Sequence, residues 1–144
     1  MEEGARILVP VDGSEGAHRA LLLASELAEV TQASLDAVYV SYFDIETDNQ
    51  GDSWLPDSLI TEPVEDETRK AEAQVKACVP SDVDVTFYHR IGIPVDEILK
   101  LADERHSDLI VVGCRGMSFM EGLLLGSISQ GILERAKTSV VVAK

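Results

Sequence analysis

Short apolar runs alternate with longer amphipathic stretches along the whole chain. Arg6–Val11 (RILVPV) is compact and rich in branched apolar side chains. The turn-forming DGS after it puts Ser14 where a helix N-cap belongs. From Ala17 to Val30 the apolar residues Ala17, Leu21, Ala24, Leu27 and Ala28 recur at helical spacing, so a strand leads into a helix. Ser34–Phe43 (SLDAVYVSYF) predicts a second, buried strand. Residues 64–79 are rich in helix formers and stop before Pro80. DVTFYHR (84–90) has the alternation of a strand, and 91–107 reads as a helix with Pro94 near its first turn, where proline is tolerated. DLIVVG (108–113) predicts a fourth strand, 127–136 a helix and Ser139–Ala143 (SVVVA) a last strand.

This β-α-β-α-β-α-β-α-β order, with strands dominated by Val, Ile and Leu, is the pattern of a parallel sheet covered by helices on both faces. The predicted class is α/β: an open five-stranded parallel sheet sandwiched between helices, flavodoxin/Rossmann-like and doubly wound. One domain spanning 1–144 is expected, since a chain of 144 residues buries roughly two thirds of its unfolded surface.

Charge changes the picture in one place. The formal net charge is −14, which excludes a sequence-independent grip on nucleic acid or an anionic membrane surface. Residues 44–67 hold nine carboxylates and no Lys or Arg, so that stretch alone accounts for most of the excess. With Asn49, Gly51, Pro56 and Pro63 and no sustained period, it reads as a long acidic loop or lid. Cys78 and Cys114 lie in no CxxC or Cys/His ligand spacing, which argues against a disulfide scaffold or a zinc site. The N-terminus is acidic where a signal peptide is basic, and no apolar run approaches the roughly 18 residues of a membrane span. A cytoplasmic protein is expected.

Candidate chemistry lies beyond the strand ends. In open parallel sheets ligands bind outside the carboxyl ends of the strands, where loops lead to helix N-termini. PVDGS after the first strand and VGCRG after the fourth meet that description, and they converge if those two strands are neighbours. Glycines at 113, 116 and 126 leave room for backbone N–H groups to approach phosphate oxygens, and Ser127 adds a hydroxyl at the positive end of a helix dipole. Asp12 is placed to accept hydrogen bonds from ribose hydroxyls. An isolated Gly-x2-Gly is more often plain turn chemistry, and there is no Walker lysine motif and no GxGxxG after the first strand.

The spacing Gly113-x2-Gly116-x9-Gly126-Ser127, with ILVPVDGSEGAHRAL before it and GSISQGILERAKTSVVVA at the end, resembles the ATP-binding branch of the universal stress protein family over nearly the whole chain. The resemblance implies ATP as ligand, with Mg or Mn bound through the phosphates. Asp12 would contact the ribose, with Pro10 and Val11 lining the pocket and Val40, give or take one position, meeting the adenine through its main chain. Gly113 and Gly116 would hold the ribose and phosphate side, and Gly126, Ser127 and Ile128 would serve the phosphates. Arg115 is either a phosphate partner or a solvated surface cation. Family members pair through the last strand, so a homodimer through Ser139–Ala143 is expected.

No group stands out for phosphoryl transfer: His18, His89 and His106 read as surface or packing residues, and Cys114 as a small loop residue. The expected function is a nucleotide-dependent switch in the stress response, with slow ATP hydrolysis at most. The alternatives are an ATP hydrolase or transferase, and a dimeric interaction module that binds no nucleotide.

Overall fold

The computed structural model describes residues 4–42, 57–114 and 125–144, and of residues 57–65 the backbone alone. Five strands alternate with four helices: β1 (Arg6–Pro10), α1 (Glu15–Thr31), β2 (Ser34–Tyr42), α2 (Asp57–Cys78), β3 (Val85–Gly92), α3 (Pro94–Arg105), β4 (Leu109–Gly113), α4 (Ser127–Arg135) and β5 (Ser139–Ala143). All strand pairs are parallel, in the order β3-β2-β1-β4-β5. The first strand is therefore central, the order of a dinucleotide-type half rather than that of flavodoxin itself.

Alternation along the strands divides the core in two. Ile7, Val9, Leu35, Ala37 and Val111 point to one face, where Leu21 and Ala24 of α1 and Ala71 and Val75 of α2 cover them. Leu8, Val38, Ile110 and Val112 point to the other, under Ile98 and Leu101 of α3 and Ile132 of α4. Most of these side chains are fully buried, each contributing about 1.5–3 kcal/mol relative to exposure. The sheet is apolar on both sides because helices cover both.

Helix ends follow local chemistry. Ser14 caps α1, its hydroxyl accepting from the Ala17 N–H at 3.2 Å. The helix ends at Gln32, which takes up the left-handed conformation with φ 57°. Pro94 opens α3, as expected, but residues 91 and 92 extend β3 instead of joining that helix. The larger difference is α2, which begins at Asp57 rather than Val64 and continues through Pro63. The second half of the stretch 44–67 is therefore helix, not loop; its residues 44–56 lie outside the described residues. Proline removes one donor from the helical ladder, and the acidic run masks the helical period.

One buried charge holds the lower part of the sheet. Asp36 on β2 is 1% exposed and receives Arg105 Nε at 3.1 Å and Nη2 at 3.4 Å, with Arg6 Nε 3.9 Å away. Arg105 also lies over the Tyr88 ring. This ties the end of α3 to β1, β2 and β3, far from the carboxyl ends of the strands.

Candidate functional site

Because β1 and β4 are neighbours and β2 lies on the other side of β1, the chain leaves the sheet in opposite directions at β1, the switch point of the topology. A cleft of about 320 Å³ opens there, at the carboxyl ends of β1, β2 and β4. Its lining includes Pro10, Val11, Asp12, Val40, Gly113, Gly126, Ser127 and Ile128, brought together from four separate parts of the chain. Arg115 and Gly116 lie outside the described residues.

The cleft has three chemically distinct parts. The first is a main-chain edge. The Val11 N–H donates to the Val38 carbonyl at 2.8 Å, so Val38 turns its polar groups toward β1. By strand alternation Val40 does the same. The β1–β2 pairing ends at Pro10↔Val38, whereas β2 runs on to Tyr42 beside β3. The N–H and C=O of Val40 thus face the cleft with no partner among the described residues, offering one donor and one acceptor between apolar walls.

Asp12 forms the second part. Its Oδ1 accepts the Ser14 N–H at 2.9 Å, closing the turn in which Gly13 has φ 79°. The turn needs a residue without Cβ at 13, and it holds Asp12 in the lining of the cleft through one of its two carboxylate oxygens.

The third part is the N-terminus of α4. Gly126 is its N-cap and supplies no side-chain hydrogen bond. The first N–H groups of any helix lack intrahelical acceptors, and the ladder here starts with Gln130 N–H to Gly126 O at 2.9 Å. The amides of Ser127, Ile128 and Ser129 are therefore open among the described residues, in a field that favours an anion. Gly126 differs from expectation: its N–H donates to the Cys114 carbonyl at 2.8 Å and is not open to a phosphate. Cys114 in turn donates its N–H to Ala143 O at 2.9 Å, and the Ser129 hydroxyl donates to Gly113 O at 2.6 Å.

Gly113 also has a reason of its own. A Cβ there would lie 2.5 Å from the carbonyl oxygen of Gly16 in the first turn of α1. The glycine lets α1 dock against the end of β4, which places the Asp12 turn beside α4.

Sequence reasoning missed several lining residues, among them Tyr39, Ser129 and Glu67. The Tyr39 phenol is held above its ordinary pKa by burial, opposed by a hydrogen bond with Ser41 and reinforced by the charges of Glu67 and Asp12. Ser41 Oγ lies 2.7 Å from His89 Nε2, and the His89 ring stacks on Tyr39 with centroids 5.6 Å apart. Partial burial pushes the His89 imidazole below its usual pKa. Glu67 was hidden in the acidic stretch, and neither Tyr39 nor Ser129 lies in a pattern that marks it. Among the described lining residues there is no Lys, Arg or His, and the described residues contain no group of three or more His, Cys, Asp or Glu able to hold a metal.

Fold and cleft together define an α/β sandwich with an anion-receptive crevice at the switch point of its sheet. The sequence matches the universal stress protein family over residues 5–144, and the chain belongs to that family. It is 32% identical over 143 residues to a universal stress protein, MJ0531, of Methanocaldococcus jannaschii, covering 96% of this chain and 81% of the other. It is 31% identical to the universal stress protein YxiE of Bacillus subtilis, covering 96% and 98%. Among solved structures, the protein MJ0577 superposes with a TM-score of 0.81 at 25% identity over 97% of this chain and 95% of that one. A universal stress protein in complex with cAMP superposes at 0.66 with 27% identity, covering 99% and 98%. No helix among the described residues is long and apolar enough to cross a membrane.

Proposed function

We propose that the cleft binds an adenine nucleotide, ATP, and that the protein is a cytoplasmic, nucleotide-dependent switch in the stress response. One observation carries this reading: the main-chain edge of Val40 and the N-terminus of α4, both without partners among the described residues, line a single cleft with the Asp12 carboxylate at the switch point. An N–H beside a C=O matches the acceptor N1 and donor N6 of adenine, a carboxylate suits ribose hydroxyls, and helix amides suit phosphate. A relative of similar fold solved with cAMP supports the same class of ligand.

The two carboxylates in the lining, Asp12 and Glu67, and the net charge of −14 oppose a bare polyphosphate. Mg or Mn carried on the phosphates would supply the missing positive charge. Phosphoryl transfer needs both charge neutralisation and a group that orients the nucleophile, so hydrolysis, if any, is slow. The protein acts as a homodimer paired through Ser139–Ala143, the edge strand of the sheet. Nucleotide works by changing the conformation or exposure of the stretch 44–67, part of which reaches the cleft through Glu67.

The test is to denature the purified protein, identify any released small molecule, and titrate the emptied protein with ATP, ADP, AMP and GTP, with and without Mg. Released ATP, or ATP binding that is lost in Gly116→Val, supports the reading; a protein that binds none of the four overturns it. Equal protease sensitivity of residues 44–67 with and without ATP would remove the switch while leaving the binding.

A further inference from the structure

The structure assigns Glu67 a specificity role: we infer that it reads the ribose cis-diol together with Asp12, so that ribonucleotides are preferred over their 2′-deoxy counterparts. This rests on the nucleotide reading above. Asp12 has one oxygen occupied by the Ser14 N–H at 2.9 Å, which leaves Oδ2 as the acceptor it can offer a ligand. A cis-diol offers two O–H donors, and two acceptors satisfy both.

Glu67 is the second carboxylate in the lining, contributed by α2, which packs beside α1 on the same face of the sheet. Asp12, Tyr39 and Glu67 line the same cleft, so the two carboxylates share its wall with one phenol. Neither has reason to face a polyanion. A group rich in O–H donors, lying between the base at Val40 and the phosphates at α4, suits both.

Glu67 is anchored only lightly. Its Oε1 lies 3.4 Å from Lys70 Nζ in an exposed i,i+3 pair, worth about 0.2–0.5 kcal/mol. The carboxylate is therefore able to turn to a ligand hydroxyl at small cost. A hydrogen bond to a charged acceptor is stronger than a neutral one, and this is what distinguishes the 2′-hydroxyl from a hydrogen at the same carbon.

The experiment compares Mg-ATP with Mg-dATP on wild type, Glu67→Gln and Lys70→Ala, by calorimetry. Wild type is expected to prefer ATP by ~10-fold, a factor set by one charge-assisted hydrogen bond. In Glu67→Gln that ratio falls to ~2-fold or less because ATP weakens while dATP changes little, and in Lys70→Ala it is kept. Equal weakening of both nucleotides in Glu67→Gln, or an unchanged ratio, overturns the inference and leaves the nucleotide reading intact. Wild type that binds neither overturns both. Because Glu67 is partly exposed, the Gln variant folds, and its circular dichroism should superpose on that of wild type.

Discussion

Gly113 and Gly131 look alike in the sequence and differ in what a methyl group would meet. At 113 the added Cβ strikes the backbone of Gly16 at 2.5 Å, whereas at 131 it meets a methyl of Val95 at 2.9 Å. Gly113→Ala should therefore destabilise by about 2 kcal/mol or more, lowering Tm by roughly 5–8 °C. Gly131→Ala gains about 1 kcal/mol of helix propensity against a small shift of Val95 and should stay within about 1 kcal/mol of wild type. Differential scanning calorimetry of the pair decides. The motif made Gly113 legible as a position needing no side chain, but ligand approach and helix docking leave the same trace in a sequence.

Two titratable residues carry predictions at the same scale. The fold lowers the His89 pKa, so the unfolded chain binds the proton more tightly: the His89 contribution is intact above pH 6.5 and is lost as pH falls through the folded-state value. Urea unfolding at several pH values should show a steeper acid loss in wild type than in His89→Gln. Cys78 lies 3.2 Å from His18 Nδ1 and burial pushes its thiol up, so in a Cys114→Ala background its alkylation at pH 8 should be slower than that of a free thiol, speeding up above pH 9.

At the scale of elements, the N-terminus of α4 separates amides from hydroxyl. Ser127 occupies the first helical position, where proline is accommodated. Ser127→Pro should keep the helix yet delete one amide donor and the hydroxyl, weakening Mg-ATP by ~10-fold. Ser127→Ala removes the hydroxyl alone, and the difference between the two variants isolates the amide. The five strands were legible because an apolar run between turn residues has few other uses, and Ser14 was legible as a cap. The start of α2 was not: Pro63 and carboxylates occupy a helix whose position is fixed by tertiary packing of Ala71 and Val75 further along. The start of α4 at Ser127 was legible, but no pattern records that the Gly126 N–H is already engaged.

For the molecule as a whole, strand order turned a conditional reading into a site. Periodicity says nothing of which strands are neighbours; the β1–β4 pairing brings the two loops together. The outward edge of β5 is the corresponding open question of assembly. Ala143 turns its carbonyl to Cys114 on the β4 side, so by alternation Val142 faces outward. Val142→Pro should leave the monomer folded and dissociate the proposed dimer in analytical ultracentrifugation. With a net charge of −14, metal-free ATP should associate faster as salt rises from about 20 to 200 mM, where the Debye length shrinks from about 20 to 7 Å.

Cys114 holds both ends of the segment that follows it, accepting from Gly126 while its own N–H is fastened to Ala143. Cys114 and Gly126 thus meet directly at the carboxyl end of β4, and the junction between them is part of the frame. Libraries built between Cys114 and Gly126 should retain the parent's melting behaviour while changing which ligand the frame accepts, which makes this junction the place to re-engineer selectivity without rebuilding the sheet.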